Sequence, residues 1–189
     1  MLRLKSVSQP SELLGILDLQ RRNLRKNLTE SEAAEQGFLI AEYPLESLQR
    51  MNAARPSIVA VDGDRDVDRV VGYVIATTRE VGLTDPFLAD LIRQIDGLEF
   101  DGEALSKADY VVVGQLCVDK EYRGQGLVPR LYQHFRESLE THYRYGITEV
   151  ARLNVRSLKA HAAVGFREIH TIESSGLEWS VVLWDWRKG

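Results

Sequence analysis

Two short stretches of this chain carry residue types that can do chemistry. The first is Arg123-Gly124-Gln125-Gly126-Leu127-Val128. It follows an apolar run, Tyr110–Val118, that reads as a central strand. It precedes Leu127–Thr141, which reads as an amphipathic helix with Leu127, Leu131, Phe135 and Leu139 at i, i+4 spacing. Glycines in such a turn let backbone amides approach an anion closely. The helix adds unpaired N–H groups and the positive end of its dipole, and Arg123 adds a formal charge. This is phosphate-binding physics. It is not a P-loop, because no Lys-Ser/Thr pair follows the glycines, nor a dinucleotide fingerprint, because the third glycine is missing. Taken alone, the loop reads equally well as a plain turn joining strand to helix.

The second stretch is Asn154-Val155-Arg156-Ser157-Leu158-Lys159-Ala160-His161-Ala162-Ala163-Val164-Gly165-Phe166. It combines a strand end, an Asn, a short helix over Ser157–Val164 and a Gly-Phe return to a strand. Cys117 invites a covalent reading, but a nucleophilic Cys needs an activating base. A free Cys in a central strand is more often a small buried hydrophobe. No general base is identifiable. Glu30, Glu32, Glu35 and Glu42 form an acidic stretch that can attract a cationic amine, or simply face solvent as charge runs usually do. His134, His142 and His170 show no metal-ligand spacing, so no metal is expected.

Together the two stretches resemble the GNAT superfamily of acyl-CoA-dependent N-acyltransferases. That family's phosphate loop runs Arg/Gln-x-x-Gly-x-Gly/Ala, the place held here by Arg123 through Val128. Its second motif runs Asn-x-x-Ser/Ala-x-x-x-Tyr-x-x-x-Gly-Phe, met here by Asn154, Ser157, His161, Gly165 and Phe166. The match covers about 110–186 well; the N-terminal half fits by its order of elements. Val128 stands where Gly or Ala is usual, Pro129 removes one N–H from the loop, and His161 replaces the Tyr.

The resemblance implies a fold, a co-substrate and a set of roles. The fold would be α/β (α+β), a mixed, mostly antiparallel sheet of six or seven strands flanked by helices. Acetyl-CoA or CoA would be the co-substrate. Backbone amides from Arg123 to Val128 would hold the pyrophosphate, with Asn154, Ser157 and His161 lining the same channel. The central strand would splay from its neighbour, so that the pantetheine arm pairs with Leu116, Cys117 and Val118. The amide of Leu116 or Cys117 would stabilise the oxyanion. A neutral amine would attack the thioester directly, with no covalent enzyme intermediate. His161 would then protonate the leaving thiolate, or only line the channel. Two alternatives stay open: a CoA-binding regulatory module without turnover, and an acyltransferase using a longer acyl-CoA.

The elements that must position these residues follow from pattern. Leu2–Val7 alternates and reads as a first strand. A helix opens at Pro10 with Ser11 as N-cap, a second at Thr29 with Glu32 in capping-box spacing, and a third spans Leu45–Ala53. Ser57–Val61 and Arg69–Thr78 read as a hairpin about Asp62-Gly63-Asp64. Residues 81–108 read as an insert, a lid or variable loop, with one helix over Pro86–Ile95. Between Asp85 and Glu103 it holds six acids against one base. Glu149–Leu153, Phe166–Glu173 and Glu178–Trp186 complete the strands. In the last of these, Trp184 and Trp186 share a side and Trp179 faces the other, which suits core packing or a dimer seam.

Length and composition bound the rest. The chain has 189 residues, 44% apolar and 28% charged, which fits one globular domain, 1–189. Within it, 1–56 would supply the first strand and acceptor-site helices, 81–108 the insert and 110–186 the acyl-CoA core. A net charge of −4 argues against nucleic acid as partner. Uncharged runs reach only about nine residues, against about 20 for a membrane span. With no signal peptide and a lone cysteine, a cytoplasmic protein is expected. The acceptor is an amine of unknown identity, and the acidic arm hints at a cation. A homodimer is a common state for such a fold, argued by no residue here.

Overall fold

A computed structural model describes residues 1–63 and 68–187. The chain begins with strand β1 (Arg3–Ser6), then helices α1 (Pro10–Asn23), α2 (Glu30–Gln36) and α3 (Leu45–Ala54). Strands β2 (Ile58–Asp62) and β3 (Arg69–Thr77) pair antiparallel, as expected. Of the turn between them, Asp64 lies outside the described residues. Helices α4 (Arg79–Leu83) and α5 (Ala89–Asp96) follow, then the small hairpin β4 (Glu99–Phe100) and β5 (Glu103–Ala104). The second half is β6 (Tyr110–Val118), α6 (Leu127–Leu139), β7 (Tyr145–Ala151), α7 (Val155–Val164), β8 (Arg167–Ser174) and β9 (Leu177–Asp185).

Seven strands form one sheet in the order β1-β2-β3-β6-β7-β9-β8. Every neighbouring pair is antiparallel except β6 and β7. Strands β3 and β6 are covered on both faces, which is why both read as near-continuous apolar runs. One face packs against α1, α3 and α5 through Leu13, Ile16, Leu19, Met51, Ile92 and Ile95. The other packs against α6 through Leu131, Tyr132 and Phe135, which meet Trp184 and Trp186 of the last strand and turn. Trp179 joins the first face, so the alternation read along β9 holds and all three tryptophans pack on the sheet.

Four local expectations are corrected. Ser11 is not the first N-cap: Gln9 is, with Pro10 in the first helical turn and the Glu12 carboxylate accepting from the amides of Ser8 and Gln9. Strand β7 starts at Tyr145, four residues before Glu149. A short helix that the pattern did not mark, α4, opens at Arg79 and runs into the start of the insert. The insert itself is anchored in the core rather than loose, because Leu88, Leu91, Ile92, Ile95 and Leu105 are buried. Its acids are largely spent on structure. Asp85 accepts from Ser47 Oγ at 2.7 Å, Asp96 accepts from Arg79 and Tyr110, and Glu103 pairs with Arg144.

Candidate active site

Strand β6 is interrupted at Gly114. Opposite it, Ile75 pairs with Gln115 but Ala76 pairs with Val113, so Gly114 is the extra residue of a β-bulge. The bulge flips the alternation: Val113 and Leu116 lie on the α6 face, whereas Gln115 and Cys117 lie on the α1 face. It is held in place from the arm, where the buried Tyr43 hydroxyl donates to Gly114 O at 3.0 Å. Gln115 fastens the same region, donating to Ala41 O at 2.8 Å and accepting from Tyr73 at 2.6 Å.

Strands β6 and β7 pair only over Tyr110–Val112 and Tyr145–Ile147. Thr148 Oγ1 donates to Val113 O just beyond, and from there the strands part, as the resemblance implies. The backbone of residues 116–118 therefore has a free side. Asp119 N–H donates to Val71 O across the β3 ladder, so by antiparallel alternation the Cys117 amide also faces β3, while the amides of Leu116 and Val118 face the gap. Val118 O is turned the same way, since it accepts from Arg123 Nε at 2.9 Å. Of the two amides offered for the oxyanion, then, Leu116's is aimed into the gap and Cys117's is not. The Cys117 thiol is buried, which pushes its pKa up to about 12, so it is not a nucleophile at neutral pH.

A cleft of about 320 Å³ opens at the end of this gap. It lies between the arm at Gln36–Leu39, the loop at Arg123–Val128 and the start of α7. Gly124 and Gly126 have φ of 74° and 72°, a left-handed conformation that favours glycine, and a side chain at either would meet only open space. Gly126 is the N-cap of α6 and no side chain caps it. Val128 packs against the core, leaving its amide to the cleft, and Pro129 supplies no donor. Gln125 instead ties the loop to itself through Glu121 O.

Arg123 is more clamp than lure. It donates to Val118 O, to Gln36 Oε1 at 3.2 Å and to Asn23 Oδ1 at 2.5 Å, fastening the loop to α1 and α2. Those acceptors are neutral, and the carboxylate of Asp119 acts on Arg123 through space without a hydrogen bond to it. Burial, with Arg156 nearby, lowers its pKa. Among the described residues, Arg156 bonds a backbone oxygen, Glu35 O at 2.9 Å, and no side chain. The cleft thus has two guanidinium groups on its wall, Arg123 and Arg156, and no acidic side chain lining it. Asn154 joins its two sides, capping α7 at Ser157 N–H and donating to Phe38 O at 2.9 Å.

His161 is 4% exposed and 2.7 Å from the Tyr132 hydroxyl. Its Nδ1 lies 2.8 Å from Ser157 O, a carbonyl that can only accept, so Nδ1 carries the proton and Nε2 accepts from Tyr132. Burial pushes its pKa down to about 4. His161 is therefore neutral at pH 7 with both ring nitrogens engaged. Its one proton is committed to Ser157 O, which leaves it poorly placed for the acid role suggested by its place in the motif.

A second depression lies beyond Leu116, sharing Phe38, Leu39, Asn154 and Ser157 with the first. Its walls are the arm at Phe38–Tyr43, the Pro86–Leu91 segment and the β8–β9 turn. Glu149 of β7 lies in it, a residue that no sequence signal marked. Burial alone raises its pKa to about 7, and among the described residues no side chain bonds to it. The acids of the arm are elsewhere. Glu32 closes a capping box on Thr29, Glu35 accepts from Ser31, and Glu42 pairs with Arg21 and Lys26. None of these, nor Glu30, lines the groove. Among the described residues, no cluster of His, Cys, Asp or Glu is arranged to hold a metal ion, and no helix is long and apolar enough to cross a membrane.

Comparison with known proteins bears on this arrangement. A family model described as the acetyltransferase (GNAT) family matches residues 18–166. A search of curated proteins gives no match by sequence. Among solved structures, the chain is similar to Arabidopsis thaliana NAA60 in complex with acetyl-CoA, with a TM-score of 0.66 at 16% identity, over 98% of this chain and 99% of that one. It is similar to the ribosomal-protein-S18-alanine N-acetyltransferase from Escherichia coli, with a TM-score of 0.62 at 11% identity, over 98% and 94%. It is also similar to yncA, a putative acetyltransferase from Salmonella typhimurium with its cofactor acetyl-CoA, with a TM-score of 0.60 at 14% identity, over 97% and 93%. At these identities the likeness is one of fold.

Proposed function

This chain belongs to the GNAT family of acetyltransferases, and on that premise we propose that it transfers an acetyl group from acetyl-CoA to a primary amine in a ternary complex. One observation carries the reading: the two depressions that meet at Leu116 are opposite in charge. The first is lined by arginines and no acid; the second by two acids, Asp90 and Glu149, and no lysine or arginine. A polyanionic donor and a cationic acceptor are sorted by that difference before either is in place.

In this reading the loop amides of Gly124, Gln125, Gly126, Leu127 and Val128 take the pyrophosphate of CoA, and the gap-facing backbone of Leu116 and Val118 takes the pantetheine arm. The amine enters over Glu149. With a pKa of about 7, Glu149 is matched to accept a proton from an ammonium at neutral pH, which frees the nitrogen lone pair. The amine attacks the thioester carbonyl. The Leu116 amide stabilises the oxyanion, the C–S bond breaks and CoA leaves as thiolate. A thiol of ordinary pKa, about 8.5, gives a thiolate stable enough to depart, and it takes, directly or through water, the second proton that the nitrogen sheds as the amide forms. No acid from His161 is required, and Cys117 stays a packing residue.

The test is thiol release from acetyl-CoA with and without amine, for the native protein and for Glu149→Gln. Amine-dependent release that falls about a hundredfold or more in the variant, with CoA affinity kept, supports the reading. Equal rates in the two proteins would remove Glu149 from the mechanism. Saturable CoA binding with no release for any amine would favour a binding module of the same fold.

A further inference from the structure

The groove beside Leu116 has an uneven chemistry that the transfer reading leaves unused. Its floor holds one free carboxylate, Glu149. Ile40, Phe87, Leu91, Leu177 and Trp179 give its wall an apolar stretch, beside the polar side chains of Gln94, Ser174 and Ser175. Two of these stand unusually open at the mouth, Ile40 at 44% and Phe87 at 47% exposure. Phe87 is held in place by an edge-on contact with Tyr43 at 5.6 Å, and Trp179 by its indole N–H bond to Ser174 O. These are fixed surfaces rather than loose side chains.

The polar groups in the groove are mostly spent. Tyr43 is committed to Gly114 O, Gln115 to Tyr73 and Ala41, Thr148 to Val113 O, and Asn154 to Phe38 O. The other acid, Asp90, lies at the rim and is paired with Arg93 at 2.5 Å. An acceptor therefore meets one unpaired carboxylate at the floor and, on one side above it, the apolar stretch of Ile40, Phe87 and Trp179.

From this arrangement we infer that the acceptor is a monocation on an apolar body: one primary ammonium seated over Glu149, carried by an aliphatic or aromatic group lying between Phe87, Ile40 and Trp179. The inference rests on the transfer reading and narrows it. A second positive charge on the same molecule would find no second unpaired carboxylate in the groove, since Asp90 is held by Arg93, and its desolvation would be uncompensated. Polyamines, aminoglycosides and lysine-rich segments are excluded on that ground. An amine of this kind can be a free alkyl- or arylalkylamine, or the N-terminus of a peptide that begins with apolar residues.

The experiment compares hexylamine and 2-phenylethylamine with 1,6-diaminohexane and spermidine, and adds tetrapeptides beginning Met-Leu or Asp-Glu. Thiol release from acetyl-CoA is the readout. Either apolar monoamine should exceed the matched diamine about tenfold or more in kcat/KM, the scale on which an apolar pocket discriminates. Phe87→Ala and Trp179→Ala should each raise KM for hexylamine by a similar factor, while the Kd for CoA stays within about twofold. A Met-Leu peptide that outpaces the free amines identifies the source as a peptide N-terminus; the reverse order identifies a small amine. Diaminohexane or spermidine turned over as fast as hexylamine overturns this inference and leaves the transfer reading standing. No release from any acceptor, with CoA bound, removes the transfer reading and this inference with it.

Discussion

Removing the carboxylate of Glu149 should make the protein more stable and less active at once. Glu149 has an ordinary carboxyl pKa of 4.5 when the chain is unfolded, and burial raises it to about 7 in the native state. Below pH 4.5 both states are protonated and the group has no effect on stability. Between 4.5 and 7 the unfolded chain gives up its proton while the native one keeps it, so stability falls as pH rises. At about 1.4 kcal/mol per unit, the loss is complete above pH 7 and amounts to roughly 3 kcal/mol. Glu149→Gln is uncharged in both states and escapes it. Urea unfolding at pH 4 and pH 8 should therefore show the variant close to native at pH 4 and up to about 3 kcal/mol more stable at pH 8. For a chain of this length the gain at pH 8 corresponds to roughly 6–12 °C in Tm. A difference between variant and native that does not change with pH would refute the reasoning, because the carboxylate would then not be desolvated. Native kcat/KM should rise with pH through about 7 as Glu149 ionises, and the variant should lack that limb.

Three further outcomes follow from the same geometry. Arg123→Ala removes the bonds to Val118, Gln36 and Asn23; it should cost about 1–3 kcal/mol in denaturant unfolding and raise the Kd for CoA about tenfold in calorimetry, equivalent to about 1.4 kcal/mol. Gly126→Ala has room for its methyl but must hold φ near 72°; strain of about 1–2 kcal/mol should shift the loop and weaken CoA binding in the same titration. Tyr132→Phe leaves His161 Nε2 without its donor; stability should fall by about 1–3 kcal/mol, whereas kcat/KM should stay within a few-fold, and a collapse of activity with the fold intact would restore a catalytic part for this pair.

The legible parts of the sequence were those where one element settles its own pattern. Tyr110–Val118 is buried on both faces, so it reads as an unbroken apolar run and its bounds were found as they stand. Thr29 and Glu32 form the capping box that their spacing predicts. The start of β7, at Tyr145, lies four residues before the strand that the pattern marks at Glu149. Gly146 is in fact needed in the strand, since a side chain there would come within 3.1 Å of the Trp186 ring, a neighbour brought by a distant strand.

The site divided along the same line. The loop glycines and Asn154 declare themselves through turn and cap chemistry. Glu149 does not, because one acid in a strand is ordinary until the neighbouring strands part and the arm covers it. Arg123 was read as a free charge, and only the folding of α1 and α2 against the loop turns it into a clamp. His161's place in the motif leaves it either an acid or a lining residue, and burial against Tyr132 keeps its ring neutral.

The most direct test of the account combines the protein with acetyl-CoA, first alone and then with a primary amine, following thiol release and the intact protein mass. Direct attack in a ternary complex predicts no thiol and no mass gain until amine is added, then release matched one for one by acetylated amine. A burst of thiol before amine, with an acetyl group left on the protein, would contradict it and return the chemistry to a covalent route.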